Sequence, residues 1–181
     1  ETELRSLALA NSKLEYFNVQ TLGLGGARSH PVLEISETRA APKLKAHLKF
    51  LTGDINSYLN ISNERGGSPH CRLCSAPCED TQHIISKCGS TAHIRERLFP
   101  ELANLVASIQ PTSKLLDKNL TPDKILTQFI LDPASLNLPD SHRISFQHPR
   151  LPELYSLSRD WCHAVFSHRA RLLKELKALK D

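Results

Sequence analysis

Hydrophobic positions along much of the chain recur at three- and four-residue spacing, which predicts helices. The longest such run extends from about Pro152 to Lys180 and places leucines and the one tryptophan on a single face. A shorter run begins at Pro42 and meets Gly53, a residue type that commonly ends helices. No stretch alternates apolar and polar residues convincingly, as a half-buried strand would. The pattern therefore predicts a mostly α fold with a long C-terminal helix.

Helix start and stop signals divide the middle of the chain into shorter helices. Asp80 is a good N-cap residue for a short helix within the cysteine-rich segment. Pro100 stands where a new helix could begin, because proline is well tolerated in a first helical turn. Thr121-Pro122 combines a capping residue with such a proline, and Pro133 is placed to stop the helix that follows.

These signals divide the chain into three parts. Residues 1–41 are predicted to form an N-terminal helix and an irregular linker that continue from a preceding domain. Residues 42–150 form a helical module, and residues 151–181 form a long basic helix packed on it. The chain begins with Glu1 and contains no methionine, so we expect it to be a piece of a longer polypeptide.

Composition excludes several classes of protein but selects none. The 181 residues are 40% hydrophobic and 23% charged, which is ordinary for a globular domain. No apolar stretch is long enough to cross a membrane, and the acidic first residues do not match a signal peptide. The chain is therefore expected to be soluble and intracellular. A formal net charge of +4 permits a nucleic-acid partner without requiring one.

The strongest chemical signal is a cluster of cysteines. Four of the five cysteines fall between positions 71 and 88, and this crowding argues against a disulfide framework. Three thiolates and one imidazole, in the order Cys71-x2-Cys74-x8-His83-x4-Cys88, are a standard donor set for a closed structural zinc site. Soft donors of this kind exclude calcium and magnesium. We therefore predict one structural zinc ion in a CCHC knuckle, with no open position for catalysis.

Other residues nearby could replace one of these ligands. Cys78 lies between the two ligand pairs, and His70 immediately precedes the cluster. His93 stands close enough after the cluster to pair with its last cysteine. The sequence leaves these exchanges open. Cys162 is far from the cluster on the long helix and is predicted to be a core residue.

The cluster and its flanks resemble the C-terminal Cys/His region of reverse transcriptases from non-LTR (LINE-type) retrotransposons. The similarity lies in Cys-Arg-Leu-Cys at 71–74, in His-Ile-Ile-Ser-Lys-Cys at 83–88, and in a following helix with two arginines. It covers roughly residues 45–175, because three flanking stretches agree in order: Lys-Phe-Leu-Thr-Gly at 49–53, Gln-Phe-Ile-Leu-Asp-Pro at 128–133 and Leu-Ser-Arg-Asp-Trp-Cys at 157–162.

The resemblance implies a role in retrotransposition. In that family the region follows an endonuclease and a reverse transcriptase, and it is implicated in binding element RNA, with target DNA as a further candidate. It places the zinc ligands on Cys71, Cys74, His83 and Cys88, whereas the extra Cys78 departs from the family pattern. It also implies a location in the nucleus or in a cytoplasmic ribonucleoprotein. The chain contains no Asp-Asp pair of the kind that holds polymerase metals, so we expect no enzyme activity from it alone.

Some members of that retrotransposon family carry a nuclease after a similar cluster, so acidic residues of this chain are candidates for metal-binding carboxylates. The candidates are Asp123, Asp132, Asp140 and Glu153. Asp123 fits a helix start and Asp132 fits a helix stop, and no β-rich run is available to hold the carboxylates together. The sequence therefore does not favour a nuclease.

Two functions remain as hypotheses. In the first, basic side chains contact nucleic-acid phosphates while the zinc site fixes their geometry. The candidate residues are Arg72, Lys87, Arg95 and Arg97 near the zinc site and Lys43, Lys45 and Lys49 before it. In the second, the module braces other domains of the parent reverse transcriptase and does not contact nucleic acid. Any one of these charges is more simply explained as part of a hydrated surface.

Overall fold

The described part of the chain is mostly helical and contains no strand. A computed structural model of the protein describes residues 41–55, 69–109, 123–133 and 148–179. Four α-helices lie in these ranges: α1 (Ala41–Leu51), α2 (Ala92–Ile109), α3 (Asp123–Leu131) and α4 (Leu151–Ala178). A π-helical turn, His83–Lys87, and a 3₁₀ turn, Gly89–Thr91, precede α2. The predicted fold class, mostly α with a long C-terminal helix, is confirmed.

Helix α1 begins one residue before Pro42 and follows the predicted pattern. Its first turn tolerates that proline because the first N–H groups of a helix have no intrahelical partner. Its inner face buries Ala46, His47 and Phe50. Beyond the helix, Gly53 has a φ of 70°, a left-handed conformation that glycine adopts without strain and that ends the helical path.

Helix α2 runs through Pro100, and the expected start of a new helix at that residue is wrong. A proline inside a helix removes one hydrogen bond and costs about 3 kcal/mol. The buried residues Ile94, Leu98, Leu102 and Val106 recur at four-residue spacing across the proline. Their packing outweighs the local penalty, because a break at Pro100 would turn half of this stripe away from the core.

Helix α4 is the element on which the others assemble, and it contacts α1, α2 and α3. Its side chains at Leu154, Tyr155, Trp161, Cys162 and Val165 are fully buried. The predicted core position of Cys162 is confirmed, and burial raises the pKa of its thiol far above the ordinary value. Phe50 of α1 packs edge-on against Phe166 of α4, with ring centroids 6.4 Å apart.

Several predictions concern residues outside the described ranges. They are the N-terminal helix and linker predicted for residues 1–41, of which only Ala41 is described, as the first residue of α1. The signal at Thr121-Pro122 and the candidate carboxylate of Asp140 also lie outside these ranges. Helix α3 itself is present and ends at Leu131, before Pro133 as predicted. The division into three parts stays a prediction. No described helix is both long enough and apolar enough to span a bilayer.

A buried hydrogen bond joins the end of α3 to α4. The hydroxyl of Tyr155 donates to Oδ1 of Asp132 at 2.6 Å, and both side chains are fully buried. A hydrogen bond to a charged group in such a setting is stronger than a neutral one. The bond therefore fixes the position of α3 against the central helix.

The substitution Tyr155→Phe is expected to destabilise the chain without changing its shape. It removes the donor from a buried carboxylate oxygen, a loss of about 1.5–3 kcal/mol in the free energy of unfolding. Urea denaturation of the metal-loaded chain measures this loss. Glu153→Gln, at the exposed start of the same helix, is the control and should lower the unfolding midpoint far less, because its ion pair with Arg150 is exposed. Equal midpoints for the two variants would contradict the assigned role of the bond.

Candidate metal centre

A tight loop presents the first two cysteines on one side. The Cys71 N–H donates to the carbonyl of Ala76 at 2.8 Å, and the Ser75 N–H donates to the carbonyl of Cys71 at 2.9 Å. Ser75 has a φ of 60°, the left-handed conformation that lets the chain reverse immediately after Cys74. The base of the loop is closed by the Glu79 N–H, which donates to the carbonyl of Pro69 at 2.9 Å.

The other two donors come from the π-helical turn. The Cys88 N–H donates to the carbonyl of His83 at 2.7 Å, a hydrogen bond that spans five residues. In an ordinary α-helix, residues five apart point about 140° away from each other. The wider π turn brings them towards the same side, which explains how the x4 spacing serves one site. Asp80 caps this segment as predicted, because its Oδ1 accepts the His83 N–H at 2.6 Å.

The four predicted donors converge on one point. The Sγ atoms of Cys71, Cys74 and Cys88 and a ring nitrogen of His83 all lie within 4.8 Å of one another. The Sγ atoms of Cys71 and Cys88 are 3.9 Å apart, well beyond a disulfide bond of about 2.0 Å. Sγ of Cys74 lies 3.3 Å from Nε2 of His83. Together these four side chains could hold one metal ion.

Burial controls the ionisation of the donors. It raises the pKa of the Cys71 thiol to about 12 and also raises the pKa of Cys88. At Cys74 burial acts in the same direction, but hydrogen bonds from the Ala76 backbone and from the neighbouring thiols outweigh it and lower the pKa. Burial lowers the pKa of His83, which keeps its imidazole neutral and able to bind a metal.

The alternative ligands stand apart from this group. Sγ of Cys78 lies 3.7 Å from Oδ2 of Asp80, and the ring of His93 packs against His168 with centroids 4.6 Å apart. His70 is exposed. Within the described ranges, the four predicted donors are the only group of three or more such side chains that converges on one point.

A buried ion-pair cluster fastens the loop to the central helix. The carboxylate of Glu79 is fully buried and lies 3.2 Å from a guanidinium nitrogen of Arg169 on α4. Nε of Arg72 lies 3.4 Å from the same carboxylate, and the thiol of Cys71 donates to it at 3.7 Å. Arg169 also donates to the carbonyl of Ile55 at 3.4 Å. Glu79 therefore joins the first metal donor to α4 and to the segment after α1.

The π turn and the 3₁₀ turn are held from two further directions. Nη1 of Arg95 donates to the carbonyl of Cys88 at 2.7 Å and to Oγ1 of Thr91 at 2.9 Å. Nε2 of His168 on α4 lies 3.0 Å from the carbonyl of Ser90, and the Ser90 hydroxyl donates to the carbonyl of Leu73 at 3.0 Å. The last donor thus sits in a turn that is hydrogen-bonded to α2, to α4 and to the cysteine loop.

Most of the predicted nucleic-acid contacts already have partners within the chain. Arg72 and Arg95 are engaged as described above. Three lysines form ion pairs: Lys43 with Asp160 (2.5 Å), Lys49 with Asp54 (3.9 Å) and Lys87 with Asp123 (3.4 Å). Lys45 and Arg97 are exposed and form no ion pair with any described residue. A role for any of the seven in nucleic-acid binding stays a prediction.

The acidic residues considered for a nuclease also have separate partners. Asp123 pairs with Lys87, Asp132 accepts from Tyr155, and Glu153 pairs with Arg150 at 2.8 Å. The described acidic side chains do not converge with others into a potential metal cage.

The sequence reading did not identify the partnership of Glu79 with Arg169. One signal was available, because Arg169 continues the spacing of the buried positions Ser158, Cys162 and Val165 on α4. A charged residue on the same helix face as buried residues indicates a buried ion pair. Its partner, 90 positions earlier, follows only from the tertiary arrangement.

Metal binding is expected to depend on Cys74 and not on Cys78. Cys74→Ser removes one of the three thiolates, so the sulfur-to-cobalt absorption at saturating Co²⁺ should fall by about a third and the affinity should fall by at least about tenfold. Cys78→Ser is the matched control, a cysteine four residues away and outside the cluster, and should bind as the unmodified chain does. If Cys78→Ser weakened metal binding and Cys74→Ser did not, Cys78 would be the ligand in place of Cys74.

Metal affinity is expected to rise steeply with pH. Thiols with raised pKa values are protonated at neutral pH and must release their protons to bind a metal, whereas the neutral imidazole of His83 releases none. Cys71 and Cys88 each release a full proton, and Cys74, with its lowered pKa, releases less. The logarithm of the Zn²⁺ affinity should therefore rise by about two to three per pH unit near neutrality. Competition titrations measure the slope, and a value of one or less would exclude a three-thiolate site.

Comparison of the chain with protein-family models, with curated proteins and with solved structures finds no match. The assignment of a metal centre therefore depends on the donor set and its geometry alone.

Proposed function

We propose that the four donors bind one structural zinc ion and that the resulting module contacts nucleic acid. We further propose that it is the C-terminal module of a non-LTR retrotransposon reverse transcriptase, acting on element RNA or target DNA during target-primed reverse transcription. The family assignment rests on the motif resemblance, and the zinc and the nucleic-acid contact rest on the geometry that follows.

Two of the donor distances match those of tetrahedral zinc, and all four donor atoms lie within 4.8 Å of one another. Tetrahedral zinc, with Zn–S of about 2.3 Å and Zn–N of about 2.0 Å, separates two sulfurs by about 3.8 Å and a sulfur from a nitrogen by about 3.5 Å. The corresponding distances here are 3.9 Å between Cys71 and Cys88 and 3.3 Å between Cys74 and His83. Three soft thiolates and an imidazole also favour zinc over hard cations. A set of four protein donors leaves no position for a water molecule, so the ion is structural.

The observation that carries the nucleic-acid proposal is a surface beside the metal turn, the histidine–arginine face, formed by His93, Arg97, His168 and Arg171. His168 contacts the carbonyl of Ser90, two residues after the last metal donor. The ring of His93 packs on His168, and Nη2 of Arg171 approaches Nδ1 of His168 at 3.2 Å. Nη1 of Arg171 is paired with Glu175 at 3.1 Å, an exposed ion pair that a phosphate can replace. Arg97 is exposed one helical turn beyond His93.

This face suits a phosphate backbone. Its side chains come from two helices, α2 and α4, which the metal turn holds together through Ser90. Arginine donates hydrogen bonds to phosphate oxygens, and α4 continues past Arg171 with the exposed lysines Lys174 and Lys177. In this proposal the chain positions nucleic acid for the parent polymerase and performs no chemistry itself. Its place is then the nucleus or a cytoplasmic ribonucleoprotein.

Two observations favour a second candidate, a bracing module that docks on other domains of the polymerase. Five of the seven basic residues predicted to contact nucleic acid already have partners within the chain. At the end of α4, Leu176 and Leu179 are 38% and 83% exposed, which is unusual for large apolar side chains and suits a protein contact.

Binding to RNA and DNA across a salt series tests the first candidate against the second. The zinc-loaded chain should bind structured RNA with an affinity that falls steeply as salt increases. Neutralising two phosphate contacts with Arg97→Gln and Arg171→Gln should weaken binding and lower the slope of log affinity against log salt by roughly 1.5. Lys45→Gln on α1 also removes one positive charge, at a residue that the sequence offered as a contact but that lies outside the histidine–arginine face, so this proposal expects it to have little effect.

The outcomes separate the candidates. A salt-dependent affinity that falls with the two arginine substitutions and not with Lys45→Gln supports contact through the histidine–arginine face. A folded, zinc-loaded chain that binds neither RNA nor DNA contradicts the proposal and favours the bracing module. Equal losses from all three substitutions would indicate a general charge effect and would contradict the assigned face.

A further inference from the structure

A cavity beside the metal turn is not used by the histidine–arginine face. It has a volume of about 220 Å³ and lies between the π turn, the first two turns of α2 and the start of α3. Its lining includes Ser86, Arg95, Glu96, Phe99 and Asp123. Drug-sized ligands occupy pockets of about 300–1,000 Å³, so this cavity admits a single flat ring system. We infer that it is a binding site for an unpaired guanine base of the nucleic acid.

The charges around the cavity favour a neutral ligand. Asp123 is paired with Lys87 at 3.4 Å, and Glu96 stands next to Arg95 in the chain. The two acidic groups, Asp123 and Glu96, therefore balance the charge of the two basic groups. This balance gives no net attraction for phosphate or for a cation. A ligand that enters must instead match individual donors and acceptors. A nucleobase has such a pattern and carries no charge.

The polar groups match guanine. Both hydrogen bonds that Arg95 makes to the metal turn leave from Nη1, so Nε and Nη2 remain as donors. The O6 and N7 atoms of guanine are acceptors that arginine commonly recognises. Glu96 forms no hydrogen bond or ion pair with the described residues, and its carboxylate can accept from N1–H and N2–H on the other edge of the base. Uracil and cytosine have a single ring and lack the N7 acceptor that arginine would contact.

Phe99 supplies the apolar surface. It is partly buried at the edge of the core and has no aromatic partner among the described rings. Stacking on an aromatic side chain is a usual way for proteins to hold an unpaired base. At 100° per residue, Glu96 and Phe99 are rotated about 100° and 160° around α2 from Arg97. A nucleic-acid chain crossing α2 would meet the phosphate-binding face on one side and the base site on the other.

The inference rests on the proposed function, and loop substitutions test it separately. RNA hairpins that differ at one unpaired loop position (G, A, C or U) are titrated with the full zinc-loaded chain. We expect the G hairpin to bind roughly tenfold tighter than the others. Glu96→Gln should abolish this preference, and Phe99→Leu, which retains an apolar side chain, should weaken binding of the G hairpin roughly tenfold. Glu153→Gln, an exposed acid on α4 that belongs neither to the cavity lining nor to the histidine–arginine face, is the matched control and should preserve both values.

Guanosine and adenosine monophosphates provide a probe that does not require RNA binding. Binding of the guanosine form alone, lost in Glu96→Gln, supports the site even if no hairpin binds and the proposed function fails. Equal affinity for the four hairpins, or a G preference that Glu96→Gln leaves unchanged, overturns the site while leaving phosphate contact intact. If Phe99→Leu fails to fold, the exposed Glu96 variant still decides the question.

Discussion

The convergence of three thiols and one imidazole is the constraint on which the rest of the structure depends. The segment from Pro69 to Cys88 buries few apolar side chains, chiefly Ile84 and Ile85, so it has little core of its own. A metal ion bound there would join its two ends and would supply folding free energy that apolar burial does not. The Glu79–Arg169 pair then fastens this segment to α4. A buried ion pair is a weak source of stability but a strong determinant of position when both partners are held.

The position of the metal turn also determines what the surrounding surfaces can do. The π turn leads through the 3₁₀ turn directly into α2, so the position of the donor cluster fixes where that helix begins. Residues on one flank of α2 meet His168 on α4, and those on the other flank line the cavity against α3. The first arrangement offers cationic donors to a phosphate, and the second offers balanced charges and an aromatic ring to a base. One donor cluster thus orients two surfaces of different chemistry.

The sequence was informative where a local rule and the tertiary structure agree. Periodicity predicted α1 and α4, ligand spacing predicted the four metal donors, and capping preference predicted the role of Asp80. It failed at Pro100, where packing of a continuous apolar stripe overrides the local preference for a helix start. The π turn was not predicted, because one additional residue in a helical turn leaves no periodic signal. The partners of Glu79 and Arg95 depend on segments brought together by folding, which spacing alone does not reveal.

The most direct test of the central claim is the coordination of the bound metal. X-ray absorption at the zinc edge, on the chain purified with its metal, reports the number and type of the nearest atoms. A structural zinc ion held by these donors predicts one zinc per chain, with three sulfurs at about 2.3 Å and one nitrogen at about 2.0 Å. A metal-free folded chain, or a first shell with oxygen or with fewer than three sulfurs, would contradict it.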